Sequence, residues 1–217
     1  QDVLDVVSEF KDELSTIILG GVNYYTGQAF DMKSITEAGH QVGAYVGFDL
    51  AHAAGNLKMS LHDWNVDFAA WCSYKYLCAG AGAPSGIFIH KIHHDWSGPR
   101  FAGWWGHNKN TRFEMGSDFD PIQTAEGWQI SNAPIMGMVP LLAAMEIFDE
   151  AGMDAIRLKS EKLTGLLEFL IAVNLPEVSI ITPENPFERG CQLSLLAPGG
   201  KKTFENISKK GVVCDWR

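Results

Sequence analysis

Two side chains of opposite charge are spaced so that a sheet would bring them together. Lys75 lies in Ser73-Tyr74-Lys75-Tyr76-Leu77, directly after the apolar run of residues 66–72. Twenty-six residues upstream, Asp49 closes a second apolar run, Ala44-Tyr45-Val46-Gly47-Phe48, and is followed by Leu50-Ala51-His52. If both runs are strands of a parallel sheet, the acid and the lysine meet at the carboxyl edge, where α/β proteins place their ligands. That pairing suits pyridoxal phosphate. A lysine holds the aldehyde as an imine, and a carboxylate keeps the pyridine nitrogen protonated so that the ring accepts electrons.

Taken singly, each residue has a plainer reading. A lysine after a strand is usually a solvated charge, and an aspartate there is often a helix cap. The surrounding wording decides between them. Val46-Gly47-Phe48-Asp49-Leu50-Ala51-His52-Ala53, Leu61-His62-Asp63-Trp64 and Cys72-Ser73-Tyr74-Lys75-Tyr76-Leu77 come in that order. They are followed by Gly103-Trp104-Trp105-Gly106-His107, Ile130-Ser131-Asn132-Ala133-Pro134-Ile135, Arg189-Gly190-Cys191-Gln192-Leu193 and Gly211-Val212-Val213-Cys214-Asp215. Together they closely resemble the kynureninases, pyridoxal-phosphate enzymes of the aspartate-aminotransferase fold. The resemblance covers nearly the whole chain.

It implies part of a three-layer α/β large domain at residues 1–150 and part of a smaller α+β C-terminal domain at 151–217. The activity implied is hydrolysis of L-kynurenine to anthranilate and L-alanine, and of 3-hydroxykynurenine, in tryptophan catabolism and NAD biosynthesis. Lys75 is then the covalent anchor of pyridoxal phosphate, with Phe68, Trp71 and Tyr76 as its expected surroundings. Asp49 partners the pyridine nitrogen, and His52 falls where related enzymes put a donor to the phenolic oxygen. Tyr74 matches a tyrosine that reaches the phosphate and is a candidate proton carrier. Trp104 and Asn132 match positions that reach the phosphate and the substrate's aryl group from the neighbouring subunit, with His107 beside the aryl ring. Gly20 stands where relatives commonly carry Ser or Thr near the cofactor. A homodimer with shared active sites follows from that pattern. Two other readings stay open: another lyase or desulfurase of the same fold, or an inactive fragment. Neither the arginine that grips the substrate carboxylate nor the residue stacked on the cofactor is found, so the chain reads as an internal piece, roughly half, of such an enzyme.

Composition restricts the partners. A net charge of −9 over 217 residues argues against nucleic acid, which calls for clustered Lys and Arg, and against an anionic membrane surface. No apolar stretch approaches the ~20 residues of a membrane span, and no signal-like segment opens the chain, so a cytoplasmic protein is expected. The four cysteines, Cys72, Cys78, Cys191 and Cys214, sit in or beside apolar runs and read as small buried hydrophobes. His90-Lys91-Ile92-His93-His94-Asp95 reads as a solvated loop rather than a metal site, and Gly80-Ala81-Gly82-Ala83-Pro84-Ser85-Gly86 as a tight turn.

Apolar spacing predicts helices at 2–14 and 32–42, and strands at 16–19, 44–49, 66–72 and 86–90. The last is expected to run antiparallel, because six residues are too few for a parallel crossover. Residues 91–130 read as an irregular segment holding four of the seven tryptophans, too aromatic for a free surface loop. Helices at 134–150 and 153–173, strands at 178–181, 192–196 and 211–214, and a helix at 202–210 complete the pattern.

Overall fold

The computed structural model describes all 217 residues. A four-stranded sheet is built from β1 (Thr16–Gly20), β2 (Tyr45–Asp49), β3 (Phe68–Trp71) and β4 (Gly86–Ile89), in that spatial order. The first three strands are parallel, and β4 runs antiparallel to β3 as the short connection requires. One face of the sheet carries Ile17, Val46, Phe48 and Ala69. Helices α1 (Asp2–Glu9) and α2 (Met32–Gln41) cover it with Val7, Met32 and Ile35. Val46 and Phe48 are at most 2% exposed, and each stabilises the fold by roughly 1.5–3 kcal/mol. The side chain of Asp31 caps α2 by accepting from Ser34 N.

The other face is largely bare. Ile18, Tyr45 and Ile87 are exposed on it. An apolar cavity of about 530 Å3 lies there, walled by Tyr45, Phe68, Ile87, Trp96 and Trp128. Parallel sheets are normally covered on both faces, so this surface is one that further protein should bury.

Helices α3 (Ile135–Ala151) and α4 (Met153–Asn174) meet at Gly152, which takes a positive φ and breaks the run. β5 (Ser179–Ile180) and β6 (Leu195–Leu196) form a minimal antiparallel pair, and α5 (Lys201–Lys209) follows. No helix is long and apolar enough to cross a membrane.

Several expectations are corrected. The first helix stops at Glu9 rather than continuing to residue 14. Residues 211–214 form no strand, because nothing in this chain pairs with them; Val213 is 98% exposed. β-branched residues favour extended backbone, but a strand also needs a neighbour. Cys78, Cys191 and Cys214 are exposed and Cys72 only half-buried, so the cysteines are not core hydrophobes.

The histidine segment is not a solvated loop either. His90 is 2% exposed, its ring stacks on His62, and its Nε2 lies 3.2 Å from the His62 carbonyl. His93 Nε2 approaches Asp67 Oδ1 at 2.6 Å, while His40 Nε2 approaches Oδ2 at 2.8 Å. Spacing could not reveal this, because the partner acid lies 26 residues away on the edge of β3.

Asp67 also accepts the Val46 N–H at 2.7 Å. Burial pushes its carboxyl up, but the Val46 N–H and the two imidazoles outweigh that and leave it below the ordinary 3.8. With the folded pKa depressed, the stabilisation is present above 3.8 and is lost as pH falls through the folded value. Asp67→Ala is therefore expected to destabilise the protein by roughly 3 kcal/mol at neutral pH, leaving Val46 N–H and two imidazoles unpaired. The gap to the wild type should close in acid. Thermal unfolding of both proteins from pH 7 down to pH 3 measures this, and equal stability at pH 7 would remove Asp67 from the account.

Candidate active site

Backbone register sets the site. Gly20, Asp49 and Ala70 sit abreast at the carboxyl edge of β1, β2 and β3. Asp49 is the last residue of β2; its Oδ1 accepts from Ala51 N at 2.8 Å, which turns the chain into residues 50–57. His52 lies in that turn. Lys75 does not end a strand as expected: β3 stops at Trp71, and Lys75 lies four residues on, in a turn. Ser73 causes the departure, because its Oγ donates to Pro84 O at 2.6 Å and its carbonyl accepts Ala79 N at 3.0 Å. The glycine-rich turn thereby folds back over the lysine loop.

His52 is the hub of the arrangement. Its ring stands 6.0 Å from Tyr76, edge to face, and 6.3 Å from Tyr24. Burial holds its pKa below the usual value, and the charges of Lys75 and Arg217 lower it further against a smaller opposing pull from Asp49. The imidazole is therefore neutral at pH 7. Its Nδ1 is buried and has no hydrogen-bond partner in the protein. A buried polar atom of this kind calls for a partner. An acceptor on a bound molecule fits, flanked by a carboxylate and a lysine. The residues present thus suit pyridoxal phosphate.

A cleft of about 550 Å3 opens beside His52, lined by Tyr76, Cys191, Gln192, Trp216 and Arg217 among others. Burial, followed by the neighbouring Cys191 thiol, raises the Tyr76 hydroxyl. The C-terminal segment is tied to this wall: Gln192 Nε2 donates to Tyr24 O at 3.0 Å, and Arg217 Nη1 donates to the same carbonyl at 3.0 Å. Arg189 behind it is 2% exposed and pairs with Glu168 of α4 at 2.7 Å.

The remaining expected residues lie elsewhere. Tyr74 is exposed, with Lys75 Nζ 5.7 Å from its ring centre. Phe68 and Trp71 are on the sheet, Phe68 against the apolar cavity of the bare face. Trp104 donates its Nε1–H to Arg112 O at 2.7 Å and meets Phe113 edge-on. His107 is spent within its own loop, with Nε2 3.1 Å from Thr111 Oγ1 and Nδ1 accepting Asp120 N. Asn132 is exposed and does not cap α3, whose N-cap is Pro134. No hydrogen bond or ring contact joins Trp104, His107 or Asn132 to Asp49, His52 or Lys75. Sequence reasoning missed the cleft roles of Tyr76, Gln192 and Arg217. Tyr76 and Gln192 were signalled only by membership of the long motifs and Arg217 by nothing, since the contacts of Gln192 and Arg217 with Tyr24 bridge more than 100 residues.

This fold is that of pyridoxal-phosphate enzymes of the aspartate-aminotransferase type. A cysteine desulfurase from Escherichia coli superposes with a TM-score of 0.76 at 16% identity, over 97% of this chain and 51% of that one. A cysteine desulfurase from Thermococcus onnurineus gives 0.74, also at 16% identity over 97% of this chain and 51% of its own. Sequence narrows the class. A family model described as the kynureninase C-terminal domain matches residues 156–217. Kynureninase from Flavobacterium psychrophilum is 55% identical over all of this chain, and that from Myxococcus xanthus 52%. The chain is similar to these kynureninases along its whole length, and it spans 52% of the length of each of the two.

Proposed function

We propose that the whole protein hydrolyses L-kynurenine, and 3-hydroxykynurenine, to anthranilate or 3-hydroxyanthranilate and L-alanine. The orphaned Nδ1 of His52, a ring on which the charges of Asp49 and Lys75 both act, carries this reading, together with the kynureninase relatives. Bound pyridoxal phosphate supplies an electron sink for charge that builds up beside the substrate's amino-bearing carbon. Asp49 holds a proton at the pyridine nitrogen. His52, in its Nδ1–H form, donates to the phenolic oxygen. Lys75 would anchor the cofactor, and its Nζ would carry the proton at the substrate's α-carbon. Tyr74 serves later proton transfers as water adds to the side-chain ketone and the bond between the β and γ carbons breaks. The desulfurase likeness is one of fold alone and favours no second activity.

The active unit is a homodimer in this proposal, acting in the cytoplasm. Residues 1–150 belong to the cofactor-binding domain and 151–217 to the C-terminal one. Phe101, Trp104, Phe113 and Met115 form an exposed apolar surface in the irregular segment, as an unpaired subunit interface would. Trp104, His107 and Asn132 then act on the partner's site, where they meet the substrate's aryl group. Anthranilate release from kynurenine by the full-length protein tests the reading, and no release with pyridoxal phosphate present would defeat it. Mixing Lys75→Ala with Trp104→Ala subunits tests the sharing. One intact site per mixed dimer should restore up to about a quarter to a half of the activity once subunits exchange. No recovery despite exchange would mean that each subunit builds its own site.

A further inference from the structure

We propose that Asn56 is a positioning residue: it sets where His52 stands against Lys75 and ties that placement to the C-terminal unit. The proposal rests on the role given to His52 above. Asn56 is 3% exposed, and both arms of its amide are used. Nδ2 donates to the His52 carbonyl at 2.9 Å. Oδ1 accepts the Cys191 N–H at 2.9 Å, from 135 residues away. The backbone of the turn satisfies other groups, with Ala53 N and Ala54 N on Leu50 O, and Asn56 N and Leu57 N on Ala53 O. The His52 carbonyl is held by a side chain instead.

Two glycines show how closely this joint is packed. A Cβ on Gly190 would come within 2.2 Å of Asn56 Nδ2, so the segment leading into Cys191 lies directly against the amide. Gly55 has φ +80°, and a Cβ there would meet the Tyr76 carbonyl carbon at 2.8 Å and Leu77 N at 2.9 Å. The histidine turn therefore rests on the lysine loop on one side and on Cys191 on the other. Behind Cys191, Arg189 is locked by Glu168 and by the Pro183 carbonyl. Nothing in this chain fixes the buried face of the His52 ring by a hydrogen bond at Nδ1, so the backbone anchor decides where that atom points. Tyr24 and Tyr76 lie against the ring and the charges of Lys75, Arg217 and Asp49 act on it, so a small displacement changes its electrostatic surroundings.

The test uses the full-length protein and four forms: wild type, Asn56→Asp, Asn56→Ser and His52→Phe. Asn56→Asp is isosteric. It keeps the acceptor for Cys191 N–H and sets a carboxylate oxygen against the His52 carbonyl. Two quantities are read: the pH midpoint of the visible absorbance band of bound pyridoxal phosphate, and the affinity of the apoprotein for it. Both Asn56 variants should move the midpoint in the same direction as His52→Phe, by about one pH unit, a tenfold change in the protonation equilibrium. Affinity should fall by a similar factor. A wild-type midpoint in both variants, with only thermal stability reduced, would overturn the proposal and leave Asn56 a packing residue. A wild type with no visible band would bring down the cofactor reading itself, and this inference with it.

Discussion

Turnover falls by at least about a thousandfold in the full-length protein when Lys75 is replaced by alanine. General acid–base catalysis alone is worth roughly 10²–10⁴, and this side chain is also proposed as the covalent anchor. The fold should survive the change. The Lys75 side chain makes no hydrogen bond or salt bridge within the chain, and its Nζ lies 5.7 Å from the Tyr74 ring centre. The surrounding turn is held by Ser73, Pro84 and Ala79 instead. The variant should thus be inactive, with wild-type thermal stability before cofactor is added. Borohydride reduction of the wild type, followed by peptide mapping, should place the pyridoxyl group on Lys75. A label on Lys91 or Lys109, or retained turnover in the variant, would reassign the anchor.

Asp49→Asn separates binding from chemistry. The amide oxygen can still accept the Ala51 N–H now held at 2.8 Å, so the turn carrying His52 should keep its shape. An amide cannot neutralise a protonated ring nitrogen, so the electron sink weakens. Turnover is expected to drop by roughly 10²–10³, the loss typical of removing one aligned electrostatic partner, while pyridoxal phosphate stays bound. Absorbance titration with the cofactor and anthranilate release together read the two effects. Near-normal turnover would give Asp49 another task. Loss of binding along with activity would make its role one of retention.

Much of the architecture was legible because it is written in local periodicity. The runs at Thr16–Gly20, Tyr45–Asp49 and Phe68–Trp71 are apolar, short and separated by helical or turn-rich stretches, which is the mark of parallel strands. The antiparallel course of Gly86–Ile89 followed from the length of its connection. Strand length was less legible. The segment at 192–196 shrank to Leu195–Leu196 and that at 178–181 to Ser179–Ile180, because pairing depends on what lies alongside.

By itself, the sequence displayed the likeness to kynureninases, the acid and the lysine that follow two apolar runs, and the strands that those runs form. Long unbroken motifs and hydrophobic periods are properties of neighbouring residues, so a linear chain displays them. Only the tertiary structure decided that Lys75 sits in a turn shaped by Ser73 rather than on a strand. It alone showed that Asp67 gathers His40 and His93 from separate elements. It also showed that Asn56 joins His52 to Cys191. These depend on groups brought together over 11 residues for Ser73 and Pro84, 26 and 27 for the Asp67 pairs, and 135 for Asn56 and Cys191. Hydrogen bonds between such residues are fixed by sheet register and packing, which no local pattern records.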